Sequence, residues 1–114
     1  MTLELLKNKL NKNKSDILFS EVIEVIENYY IFKPTAFKNG NLENKAEENS
    51  GSCKIFAFAL QQKLSKEETL LCFGEHYRNV LENKDGTSHQ NIRNFMKFGY
   101  ESLTFSDTPL LLKS

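Results

Sequence analysis

Two short stretches concentrate the side chains that could do chemistry. In the first, Gly51-Ser52-Cys53 stands where a polar loop runs into an apolar segment. If a helix starts there, its free N–H groups and dipole can hold an anion or lower a thiol pKa. In the second, His89-Gln90-Asn91-Ile92-Arg93-Asn94 sets five hydrogen-bonding side chains around one apolar residue. Arg93 is notable by type, because only it and Arg78 are arginines among 15 basic residues. In so Lys-rich a chain, an Arg suggests a position that uses the planar fork for paired hydrogen bonds, to a ligand or to a loop carbonyl or core carboxylate.

These residues support two functional readings. The leading one is a non-enzymatic binding domain whose polar cleft is formed by the 49–54 loop and the 89–94 turn. Asn49, Ser52, Lys54, His89, Asn91 and Arg93 would hold an anionic small molecule, or the carboxylate of a peptide or protein partner. The alternative is a Cys-dependent hydrolase or transferase with Cys53 as nucleophile, His89 as base and Asn91 as orienter. The apolar run Ile55 to Leu60 argues against the second, since desolvation raises a neighbouring thiol pKa. Cys53 is therefore expected to be a small buried thiol, and Cys72, between Leu71 and Phe73, even more so. His76 is expected on the flank of a helix, half-buried or at the surface. Among Cys53, Cys72, His76 and His89 only Cys72 and His76 fall within one helical turn, so neither a metal nor a cofactor is expected.

The elements that must position these groups are legible in part. Leu3, Leu6 and Leu10 mark an amphipathic first helix. Leu18, Val22, Val25, Ile26 and Tyr29 mark a second, with Ser15 or Asp16 as its cap. Tyr30 to Phe32 are strand formers, and Asn39-Gly40 predicts a hairpin turn between arms Thr35 to Phe37 and Leu42 to Asn44, at a sheet edge given Pro34. After a loop to Ser52, a helix from Ser52 to Leu64 is apolar all round and is expected at the centre. Ser65-Lys66-Glu67-Glu68 is a capping box that starts a helix with a buried stripe of Leu70, Phe73, Tyr77 and Leu81; Gly74 would allow a close backbone approach or loosen it. Thr87 or Ser88 is expected to cap the last helix, which buries Ile92, Phe95 and Met96 and stops at Gly99. Leu103 and Phe105 alternate with polar residues as a strand that joins the hairpin. The fold class is α+β: about five helices around a central apolar helix, with a small antiparallel sheet, as a single domain over residues 1–114.

Composition bounds the partners. The 114 residues carry 15 basic and 15 acidic side chains and no net charge, so neither nucleic acid nor an anionic membrane is expected to be drawn to the chain. The longest apolar runs are far below the roughly 20 residues of a membrane span. The amphipathic start does not read as a Sec signal, so a cytoplasmic location is expected.

Four strings in order, Lys33 to Gly40, Asn49 to Phe56, Thr69 to Gly74 and His89 to Met96, resemble the HopJ type III effector family over nearly the whole chain. The resemblance implies a small bacterial domain and, through the family name, export by a type III system, with no biochemical activity attached. Ser88 stands where the family pattern suggests Asp, and Tyr100 where it suggests Trp.

Overall fold

The computed structural model describes residues 1–12 and 16–113. Helices α1 (Leu3–Lys12) and α2 (Phe19–Tyr29) lead into strand β1 (Tyr30–Phe32), then β2 (Phe37–Asn39) and β3 (Leu42–Asn44). Four helices follow: α3 (Ser50–Gln62), α4 (Lys66–Leu71), α5 (Glu75–Glu82) and α6 (Gln90–Phe98). A single 3-10 turn then precedes β4 (Leu103–Phe105) and β5 (Leu110–Leu112). The architecture is α+β, as the residue patterns suggest.

The expected fourth helix is two helices. Gly74 breaks it with φ +58°, and a Cβ there would stand 2.8 Å from the carbonyl carbon of Leu18 and 2.9 Å from the Ile17 oxygen. Only glycine admits both that φ and that approach. The break also shifts the helical phase, so Val80 is buried and Leu81 is 41% exposed, against the expected stripe. Gly74 brings the start of α2 against α5, where the Glu75 carboxylate accepts the Phe19 N–H at 2.8 Å and the Glu21 carboxylate accepts the Leu18 N–H at 3.3 Å. Asp16 lies ahead of the Leu18 cap position and is not the cap, and Ser15 lies outside the described residues.

The strands form two antiparallel sheets, a β1–β5 ribbon and a three-stranded sheet in the order β3–β2–β4. The hairpin strand β2 is central, not at an edge; Pro34 precedes the strand and so removes no ladder bond. The turn falls one residue later than the Asn39-Gly40 reading, because Asn39 pairs with Leu42 and leaves Gly40 (φ +64°) and Asn41 to turn. That register points Phe37, Asn39 and Asn44 into the protein and Lys38, Glu43 and Thr104 outward.

The core is a single cluster. In α3 the residues Ile55, Phe56, Ala57, Phe58 and Ala59 are all buried, while Leu60, counted with the apolar run, is exposed. The Phe56 ring meets those of Phe37, Phe73 and Phe95 at centroid distances of 6.1, 5.3 and 4.9 Å, which ties the three-stranded sheet, the α4–α5 turn and α6 to α3. Leu6 and Leu10 dock α1 on the same cluster. Tyr100 anchors the end of α6: its ring packs edge-on to Phe95, and its hydroxyl donates to the Leu64 carbonyl at 3.0 Å and meets Thr69 Oγ1.

Candidate functional site

Helices α3 and α6 both begin at residues in the left-handed region, Asn49 (φ 51°, ψ 45°) and His89 (φ 53°, ψ 53°). α3 starts two residues earlier than expected, and neither Thr87 nor Ser88 caps α6. No side chain caps either helix. The first backbone bonds are Cys53 N–H to the Asn49 carbonyl and Arg93 N–H to the His89 carbonyl. The N–H groups of residues 50–52 and 90–92 thus precede both ladders, where an α-helix leaves its donors without internal partners.

Both helix starts open on one cavity of about 530 Å³, lined by Asn49, Gly51, Ser52, His89, Gln90, Asn91 and Ile92 from these segments and by Phe19, Leu42, Phe73 and His76 around them. The two polar stretches singled out in the sequence therefore meet. Gly51 lets α3 pass the Phe19 ring, whose tip would lie 2.7 Å from an added Cβ. His76, placed on a flank by the sequence pattern, is half-buried and faces His89 with ring centroids 5.0 Å apart and planes at 38°. The Phe19 ring stands edge-on to His76 at 4.8 Å. Burial, then the nearby His76 and Arg93 charges, hold the His89 imidazole below its ordinary pKa.

What fixes the two helix starts together is a chain of asparagine amides absent from the sequence reading. Asn91 Nδ2 donates to Asn44 Oδ1 at 3.0 Å, and Asn91 Oδ1 accepts from Asn39 Nδ2 at 3.0 Å and Asn44 Nδ2 at 3.3 Å. Asn39 Nδ2 also donates to the Asn91 carbonyl at 2.8 Å, and Asn49 Nδ2 donates to Asn44 Oδ1 at 2.6 Å. Asn39, Asn44 and Asn91 are all buried, so the bonds among these three are made away from water, where their absence would be expensive, while Asn49 reaches in from the exposed rim. Asn49, which the sequence assigned to the ligand, is thus a cavity wall whose amide is already committed to the hairpin.

Of the other expected site residues, Ser52 and His89 line the cavity, and Lys54, Arg93 and Cys53 do not. Lys54 pairs with Glu27 at 3.1 Å and lies 4.8 Å over the Phe32 ring. Arg93 uses its fork on loop carbonyls, Nε to Ser88 at 2.5 Å and Nη1 to Lys84 at 3.2 Å, and lines a separate cavity with Val80, Gly86 and Met96. Ser88 contributes its backbone to this clamp. Cys53 is buried and its thiol donates to the Thr35 carbonyl at 3.6 Å; burial pushes its pKa up to about 11 despite that bond and the Lys54 charge. Cys72 is likewise buried, with its pKa at about 12.

Comparison with known proteins adds a family and a neighbour. The profile described as HopJ type III effector protein matches residues 3–110. A crystal structure of the unknown function protein VPA0580 is similar with a TM-score of 0.95 and 47% sequence identity, covering 99% of this chain and 95% of that one. No curated protein matches the chain.

Proposed function

The chain belongs to the HopJ type III effector protein family, and from the geometry of its cavity we propose that it is a small binding domain for an anionic group on a small molecule or peptide. The observation that carries this is the convergence of two helix N-termini, neither capped by a side chain, on one cavity. A carboxylate or phosphate oxygen there would accept N–H bonds from residues 50–52 and 90–92 and lie at the positive ends of two dipoles. The apolar walls Phe19, Leu42, Phe73 and Ile92 suit the body of such a ligand. The cations that the sequence offered, Lys54 and Arg93, are occupied elsewhere, so the anion would be held by backbone dipoles and neutral polar groups. No observation favours the Cys53 nucleophile.

A cytoplasmic place of action is part of this proposal, in which Leu6 and Leu10 dock residues 3–12 on the packed fold. No helix of the described residues is long and apolar enough to cross a membrane.

The test is titration of 15N-labelled protein with phosphate, succinate and a short peptide carrying either a free or an amidated C-terminus. Saturable shifts that move the amides of residues 50–52 and 90–92 together are expected. Ser52→Asp should abolish them while keeping the fold, because an Asp in the first turn suits the helix and repels an anion. Shifts scattered over surface lysines, unchanged by Ser52→Asp, would refute the site.

A further inference from the structure

We propose that His76 and His89 form a two-imidazole site for a divalent transition-metal ion of the zinc, copper or nickel class, open on its remaining sides to the cavity. The proposal rests on the same cavity as the binding reading but not on the helix N-termini. The two histidines lie 13 positions apart in sequence, at the start of α5 and at the cap of α6, and the break at Gly74 and the turn before α6 bring them face to face.

The separation of the rings, that of a tilted aromatic pair, is also compatible with two ligands on one ion. With a metal–nitrogen distance of about 2.05 Å and about 1.15 Å from nitrogen to ring centre, each centre lies about 3.2 Å from the metal. A tetrahedral angle then puts the centres about 5.2 Å apart and a right angle about 4.5 Å. The observed 5.0 Å falls between. Neither imidazole makes a hydrogen bond to another described residue, so no hydrogen bond among them need break for a ring nitrogen to turn toward an ion. The edge-on contact with Phe19 limits how far His76 can swing.

The donor set selects the metal. The lining holds no carboxylate, so calcium and magnesium, which need oxygen cages, are poorly served. It holds no thiolate either, because Cys53 and Cys72 are buried away from it. Imidazole nitrogen suits zinc, copper and nickel. Among the described residues no group of three or more His, Cys, Asp or Glu could hold a metal. A two-histidine site would therefore bind more weakly than a four-ligand structural site and would leave positions open, as catalytic zinc sites do. Two neutral imidazoles leave the ion's charge uncompensated beside the positive end of α6, which favours an anion as the third ligand. The carboxylate or phosphate of the proposed ligand could fill that position while its other oxygens meet the backbone N–H groups.

The experiment is calorimetric titration of tag-free protein with Zn2+ alone, and Co2+ absorption spectroscopy, for the wild type, His76→Asn, His89→Asn and the double variant, each first checked for an unchanged melting temperature. Asn tolerates the left-handed backbone that His89 adopts, so the second variant keeps the start of α6. One ion per chain is expected, with at least a ten-fold loss of affinity in each single variant and little further loss in the double. Binding that survives either single variant, or no saturable binding, would overturn the proposal. The anion titration without metal is read separately. If zinc fails while phosphate or succinate still shifts residues 50–52 and 90–92, this inference falls and the binding domain stands. If zinc binds and no anion does, the reverse holds.

Discussion

Replacing Asn91 by Ala tests whether the asparagine chain holds the two helix starts together. Asn91 is 5% exposed, and its amide takes part in three hydrogen bonds, one given to Asn44 and two taken from Asn39 and Asn44. After truncation Asn39 Nδ2 keeps the Asn91 carbonyl, and Asn44 Oδ1 keeps Asn49. Asn44 Nδ2, however, is left with only the Phe37 carbonyl at 3.5 Å. Three lost bonds at about 1 kcal/mol each, one of them leaving a buried donor poorly served, come to about 3 kcal/mol. For a chain of this size that is a fall in Tm of roughly 12 °C. Urea denaturation and calorimetry on wild type and variant measure it. Asn91→Asp sharpens the test, because it puts an oxygen where Nδ2 faced Asn44 Oδ1. The new carboxyl would be buried and its pKa raised, so the variant should regain stability as pH falls and lose it as pH rises through that pKa. A loss below about 1 kcal/mol for Asn91→Ala, or an Asn91→Asp variant whose deficit does not shrink in acid, would show that the amides are spectators.

Three further outcomes are expected. Gly74→Ala should cost about 3 kcal/mol or more in denaturation, since it combines positive φ with a Cβ driven into the Leu18–Phe19 backbone; a loss under about 1 kcal/mol would mean that α2 simply moves away. Cys53 and Cys72, with thiol pKa values near 11 and 12, should resist alkylation in the folded protein from neutral pH to about pH 9 and react fully once it is unfolded; rapid native labelling of Cys53 at pH 7 would restore the nucleophile reading. Arg93→Lys should lower stability by about 1 to 2 kcal/mol through loss of the Ser88 and Lys84 carbonyl bonds, yet leave anion titration of the main cavity unchanged; weakened anion binding at constant stability would put Arg93 back in the site.

Elements whose signal is periodic were legible. Val22, Val25 and Ile26 on α2, and Ile92 and Phe95 on α6, are buried because a stripe at helical spacing has one way to face a core. The capping box at Ser65 forms as written, with Glu68 N–H on the Ser65 hydroxyl and Ser65 N–H on the Glu68 carboxylate, because both partners lie within one turn. What failed depended on distant partners. β5 is three leucines whose partners, Tyr30–Phe32, lie 78 to 82 positions earlier, and nothing local separates such a triple from a tail. Asn39 and Asn44 carry turn and strand-end propensities, and their burial follows only from Asn91, 52 and 47 positions away.

The meeting of the 49–54 and 89–94 segments was legible for a reason that proved incomplete. Two helix starts full of donors could have met by satisfying one another's buried groups. Instead the side chains of Asn39, Asn44, Asn49 and Asn91 bond to one another, with Asn39 Oδ1 left without a partner among the described residues, and both helix starts line a cavity. The distinction bears on function. Had the segments capped each other, the donors would be spent and an anion would have to compete for them. With the amides carrying the contact, the first-turn donors are not spent on one another, and on the proposed reading a ligand would find them free. On the proposed reading, binding and stability would be linked through Asn91: a ligand that fills the cavity would stabilise the native state by mass action. The same ligand should recover less stability in Asn91→Ala than in the wild type, because in the variant the two N-termini no longer share one fixed geometry.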